Sequence, residues 1–180
     1  MNAPERLRVV IIGAGMIGEV HRRAILLAGG ELSGVMASSP DRSDQVAASW
    51  NTAALHDVEA LIAAAPDVVH VCSPNALHGA HVEAALAAGA HVICEKPLSV
   101  GTADAARLVT QAASTGKIAT VPFVYRFHPL VREVRARVEA GEFGRWQLLH
   151  GSYLQDWLLD PSATSWRVDA AKGGALPNFR

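Results

Sequence analysis

A doubly wound α/β fold on a mostly parallel sheet is what this sequence predicts, and three observations predict it. Strand-like and helix-like patterns alternate from the N-terminus to about residue 125. The strand-like runs are apolar almost throughout, Val9-Val10-Ile11-Ile12 and Val68-Val69-His70-Val71-Cys72 among them, as expected of strands covered on both faces. The first run also stops at Gly13-Ala14-Gly15-Met16-Ile17-Gly18 and passes directly into a helical pattern. Alternation at this spacing implies crossover helices on the two faces of one sheet.

The elements follow in order. Residues 7–12 read as the first strand. Ile17, Val20, Ala24 and Leu27, at spacings of three and four, mark the apolar face of the first helix, which Gly29-Gly30 end. Residues 31–37 read as the second strand, and Ser38-Ser39-Pro40-Asp41 as the turn that opens the next helix. A short strand is expected at 51–55, then a helix carrying Val58, Leu61, Ile62 and Ala65 that Pro66 closes. Residues 67–72 form the fourth strand; Ser73-Pro74-Asn75 break it, and an alanine-rich helix runs to Gly89. Residues 90–94 are the fifth strand. Thr102 is the expected N-cap of a helix through Leu108, Val109 and Ala112 that stops at Gly116, and residues 118–124 are the sixth strand.

The pattern then changes. Val131, Val134 and Val138 mark a helix after Pro129, Gly141 to Gly144 a turn, and Arg145 to Tyr153 a long strand. We therefore expect a dinucleotide-scale α/β domain at 1–125 and, at 126–180, the start of a second α/β domain that this chain does not complete.

Bulk properties exclude several classes of function. The 180 residues are 50% hydrophobic, which argues against disorder, and the formal net charge of −1 with a pI near 6.7 offers no footprint for nucleic acid or a membrane surface. The N-terminus lacks an apolar signal region and no apolar run is long enough to span a bilayer, so a cytoplasmic setting is expected. Cys72 and Cys94 lie near the ends of apolar runs and read as buried thiols rather than a disulfide.

The glycine loop carries the chemistry. In a sheet of Rossmann type, Gly13 permits the tight turn, Gly15 lets the backbone approach a pyrophosphate, and Gly18 lets the helix pack close to the strand. The N–H groups of the first turn, at Met16 and Ile17, would hold the phosphates. The bland alternative is a structural turn. The slot that selects the cofactor lies near Ala37-Ser38, about 25 residues after Gly13, and neither residue is acidic. Ser38 and Ser39, with charge from Arg42, suit a ribose 2′-phosphate, so NADP is favoured slightly over NAD. Against that, Ser-Ser-Pro-Asp is also an ordinary turn and cap, and Asp41 is within reach of the ribose.

Two further loops follow strands at the sheet's carboxyl edge, where ligands of open α/β sheets bind. Ser73, Pro74 and Asn75 should border the cofactor, and His78 just beyond either joins them or is only a helix-start side chain. Glu95-Lys96-Pro97 directly follows the fifth strand. A charged pair there is costly unless used, and Lys96 can polarise or protonate a carbonyl oxygen; the alternative is a surface ion pair of small effect.

Taken together, Gly13 to Gly18, Ser73-Pro74-Asn75 with His78, and Gly89-Ala90-His91-Val92-Ile93-Cys94-Glu95-Lys96-Pro97-Leu98 resemble the Gfo/Idh/MocA oxidoreductase family, in order and with family-like spacing. The resemblance implies a dinucleotide-binding domain coupled to a second domain on a large open sheet, and hydride transfer between NAD(P) and a sugar, inositol or related polyol. It implies that Lys96 is the active-site lysine, that Glu95 and Lys96 border the cofactor, and that the Lys96–Pro97 bond is cis. Tyr125 and Arg126 resemble a segment beside the nicotinamide, with Tyr125 toward substrate, and Trp166-Arg167 a pair that contacts cofactor. Asn178 occupies an Asp/Asn slot whose partner histidine, four residues on, falls beyond Arg180; Arg180 itself stands where glycine is expected. The expectation is therefore a fragment of a homo-oligomeric parent, without metal. Two rivals remain: an NAD-dependent glycosidase of the same family, which shows no net redox change, and a nucleotide-binding regulatory protein without turnover.

Overall fold

The computed structural model describes residues 6–156 together with 159, 160, 162 and 165. Two compact units divide the chain after Pro122, the second being Phe123–Ser165.

In the first unit six strands form one parallel sheet: β1 (Arg8–Ile12), β2 (Glu31–Met36), β3 (Ala53–Leu55), β4 (Val68–Val71), β5 (His91–Cys94) and β6 (Ala119–Thr120). Their spatial order, 3-2-1-4-5-6, is that of the Rossmann sheet. The helices are α1 (Met16–Leu27), α2 (Pro40–Trp50), α3 (Val58–Ala64), α4 (His78–Ala87) and α5 (Thr102–Thr115). Period-two alternation sorts the strand residues onto two faces. Val10, Ile12, Val69, Val71, Val92 and Cys94 pack with Leu61 of α3, Val82 of α4 and Leu108 of α5. Val9 and Ile11 pack with Ile25 of α1, and Val35 packs with Val46 and Ala47 of α2. The apolar strands expected from sequence are thus covered on both sides, and Cys72 and Cys94 are buried free thiols.

Four sequence expectations need correction. The buried row of α1 is Gly18, His21 and Ile25; Val20 and Leu27 are 53% and 89% exposed. Gly18 must press against the preceding loop, and that contact rotates the helix away from its more apolar stripe. The cap of α5 is Gly101, with Thr102 as the first helical residue. The sixth strand is only Ala119–Thr120. It is an edge strand, paired on one side through Val92 and Ile93, and Pro122 offers no N–H to extend it. Finally, residues 145–153 pair with no strand among the described residues and are exposed throughout. A strand needs a ladder partner, and the described residues of the second unit supply only a helical turn at Val124–Phe127 and the helix α6 (Pro129–Glu139). Within that unit the hydroxyls of Tyr125 and Tyr153 lie 2.9 Å apart.

Candidate functional site

The sheet order reverses between β1 and β4, and the loops leaving the carboxyl ends of these strands gather there. Backbone bonds align the exits: Gly13 N–H donates to Met36 O (2.8 Å), Cys72 N–H to Ile12 O (2.7 Å) and Glu95 N–H to Val71 O (2.9 Å).

Each glycine of the first loop meets a different constraint. Gly13 has φ +100, and a Cβ there would stand 2.5 Å from the Cys72 backbone. A Cβ on Gly18 would stand 2.1 Å from Gly13 O, whereas one on Gly15 would meet nothing within 4 Å. Gly15 is the N-cap of α1 and provides no side-chain cap. The first-turn amides at Met16 and Ile17 therefore face an open cradle at the positive end of the helix. Glu19, also in that turn, would oppose an anion. Bidentate and single bonds from Arg22 and Arg23 (2.7–2.9 Å) offset its charge and hold its carboxyl down at about 2.

At the end of β2, Ala37 N–H donates to the buried hydroxyl of Ser43 (2.9 Å). Ser38 is exposed. Ser39 caps α2, its Oγ accepting from Arg42 N–H at 3.3 Å, and the Arg42 guanidinium donates to Gln45. The cap role weighed for this turn is therefore real for Ser39.

In the loop after β4, Ser73 Oγ lies 2.8 Å from His81 Nδ1, Pro74 is exposed, and Asn75 begins a single helical turn. His78 is tied into the fold on both ring nitrogens. Its ring is 1% exposed, with Nδ1 on Pro97 O (2.7 Å) and Nε2 on Ser73 O (2.8 Å), so it ties the Ser73 loop to the Pro97 loop. The Lys96–Pro97 bond is cis, and Lys96 is exposed.

Glu95 is held inside the fold. It is buried and turned toward α1, where His21 Nε2–H donates to its Oε1 at 3.0 Å, while Lys96 N–H donates to its Oε2 at 3.2 Å. Behind His21, His70 Nδ1 lies 2.8 Å from His21 Nδ1, so one proton serves that contact. Burial would raise the Glu95 carboxyl, but the bond and charge of His21 and the amide and charge of Lys96 outweigh it and hold it below the usual range. Burial, with the charge of His21, pushes His70 down to about 4. Burial and Glu95 push the Cys94 thiol up to about 12 and Cys72 higher still, so neither is a nucleophile. The sequence reading missed His21 and His70. The available signal was a histidine inside the apolar run Val68-Val69-His70-Val71, placed by parallel register on the α1 face beside Ile11.

The His70 shift predicts acid sensitivity. Its folded value lies below its unfolded one, so stability falls as pH drops from about 6.5 to about 4, by up to about 3 kcal/mol. Glu95 adds loss in the same direction at lower pH, since its depressed carboxyl stabilises the fold only while ionised. Urea midpoints at pH 7, 5.5 and 4 should fall steeply in the wild type and less steeply in His70→Phe. Equal slopes would remove His70 as the cause.

Tyr125 and Arg126 fall within the second unit, while Trp166, Arg167 and Asn178 lie outside the described residues. Among the described residues no His/Cys/Asp/Glu group suits a metal ion, and no helix is long and apolar enough to cross a membrane.

A family model described as an oxidoreductase family with an NAD-binding Rossmann fold matches residues 7–123. The chain belongs to the Gfo/Idh/MocA family. Among its relatives, the chain is 36% identical to D-glucoside 3-dehydrogenase of Escherichia coli K12, over 77% of this chain and 40% of that protein. It is 34% identical to inositol 2-dehydrogenase 3 of Saccharopolyspora erythraea, over 80% and 44%. Levoglucosan dehydrogenase, solved with NADH and levoglucosan, superposes with a TM-score of 0.86 at 28% identity, over 95% of this chain and 49% of that one. An inositol dehydrogenase homolog of Azotobacter vinelandii, solved with NAD+, gives 0.87 at 27% identity, over 96% and 49%. The Gfo/Idh/MocA chain described here thus spans less than half the length of each of these relatives.

Proposed function

We propose that this chain binds a nicotinamide dinucleotide over Gly13–Gly18 and provides the cofactor-binding half of a dehydrogenase acting on a sugar, inositol or related polyol. The observation that carries the reading is the open space at Gly15, enclosed by a positive-φ Gly13 and by Gly18 packed on Gly13 O. The cofactor fits these residues: the amides of Met16 and Ile17 would hold its pyrophosphate, and the loops at Ser73–Asn75 and Glu95–Pro97 leave the same carboxyl edge of the sheet. When bound, the nicotinamide supplies hydride exchange with a substrate carbon. The exposed Lys96 is suited to donate a hydrogen bond to the substrate oxygen and to stabilise negative charge there. His78 steadies the Lys96 loop by its bond to Pro97 O. The sugar and inositol relatives support the substrate class.

The finer reading is that NADP is accepted, and slightly preferred. No carboxylate stands at Ala37 or Ser38 to repel a 2′-phosphate, and the exposed Ser38 and Arg42 flank that position. Calorimetric titration with NAD and NADP tests both levels. Ser38→Asp should weaken NADP about tenfold or more while sparing NAD, by like-charge repulsion. Wild-type binding of NAD alone would end the NADP reading, and binding of neither would end the cofactor reading. Turnover on a panel of glucosides and inositols, read as NAD(P) reduction, tests the dehydrogenase assignment.

A further inference from the structure

We infer that His21 is a positioning residue for Lys96: from helix α1 it captures the Glu95 carboxylate, which in turn holds the Lys96 backbone. The inference rests on the reading above that Lys96 faces the substrate. The chain of contacts is continuous across three elements. His70 on β4 backs His21 at 2.8 Å, His21 donates to Glu95 Oε1 at 3.0 Å, and Glu95 Oε2 accepts the Lys96 amide at 3.2 Å. All three side chains are at least nine-tenths buried.

The geometry does two things. Glu95 is the carboxylate nearest Lys96 in the chain, and an ammonium paired with it would be partly neutralised toward a ligand. With one carboxylate oxygen on His21 and the other on a backbone amide, Glu95 makes no direct bond to the Lys96 ammonium, whose charge reaches it only through space. Among the described residues no ion pair joins it to the Lys96 side chain. The same fork sets the peptide that leads into Lys96 and ties it to α1, the helix whose N-terminus faces the cradle at Gly15. His78 then holds the Pro97 carbonyl, so residues 95–97 are gripped on both sides.

Donor arithmetic makes the arrangement specific. An ionised Glu95 only accepts, so His21 Nε2 must carry a proton. The Nδ1–Nδ1 contact then needs one proton from either ring, which His70 can give or take as the neutral base. The other titratable groups around Glu95 are Cys72 beyond β4, Cys94 on β5 and Lys96 itself. Both thiols stay protonated through neutral pH, so neither competes for that role.

The test is nuclear magnetic resonance on the full 180-residue chain, comparing wild type with His21→Leu and His21→Gln. In the wild type the Glu95 side-chain carboxyl should titrate below the ordinary glutamate range. In His21→Leu it should titrate above that range, because burial is then unopposed, and the Lys96 amide should exchange about tenfold faster through loss of a charge-assisted bond. His21→Gln restores an N–H donor and should recover most of both effects, which a loss of packing alone would not. An unchanged Glu95 titration in His21→Leu, or no recovery in His21→Gln, overturns the inference. If His21→Leu does not fold, ring nitrogen shifts of the wild type decide: His21 Nε2 found without its proton at pH 7 overturns it, and found protonated supports it. None of these readouts needs cofactor, so loss of the binding reading and loss of this one are told apart.

Discussion

Gly15→Val should abolish nucleotide binding and leave the fold intact. Gly15 has φ −78 and ψ −168, extended backbone that valine adopts readily, and a Cβ there meets nothing within 4 Å. Valine is a poorer N-cap than glycine, a cost of about 1 kcal/mol or less. The isopropyl group would instead fill the cradle in front of the Met16 and Ile17 amides. Calorimetry should show affinity for NAD and NADP lowered at least about a hundredfold, equivalent to about 3 kcal/mol. Thermal midpoints should stay within a few degrees of wild type. Unchanged affinity would mean that the pyrophosphate binds elsewhere.

Gly18→Ala should do the reverse and damage the fold itself. Alanine gains about 1 kcal/mol in helix propensity over glycine. Its Cβ, however, would lie 2.1 Å from the backbone oxygen of Gly13, which cannot move freely because Gly13 N–H is bonded to Met36 O and its own Cα lies against Cys72. Overpacking against backbone outweighs the propensity gain. A net loss of about 3 kcal/mol corresponds to a fall of about 10 °C in Tm. A midpoint at or above wild type would show that α1 slides away from the loop at little cost. The two glycines stand three residues apart and carry opposite predictions because one faces open space and the other faces a carbonyl.

The parallel sheet, its flanking helices and the glycine turn are all legible in the sequence. Runs such as Val68-Val69-His70-Val71 leave little choice but a strand buried on two faces, and the order strand, Gly-x-Gly-x-x-Gly, helix places the loop at a strand's carboxyl end. The long strand at 145–153 was misjudged because its Trp146, Leu148 and Tyr153 have strand propensity, and propensity says nothing of a partner. The face of α1 was misjudged because Val20 and Leu27 look more like core than Gly18 and His21 do.

Local pattern by itself determined the strands and helices of the parallel sheet and where the glycine turn falls, since hydrophobic period and glycine conformation are properties of neighbours in the chain. Only the tertiary structure decided what His21, His70, His78 and Glu95 do. Their partners lie 19 to 74 residues away for every contact but those of His78 with Ser73 and of Glu95 with the Lys96 amide. A histidine's role depends on which acceptor faces each ring nitrogen and on whether water is excluded there. Both are settled when β1, β4 and β5 align in register and α1 closes over them.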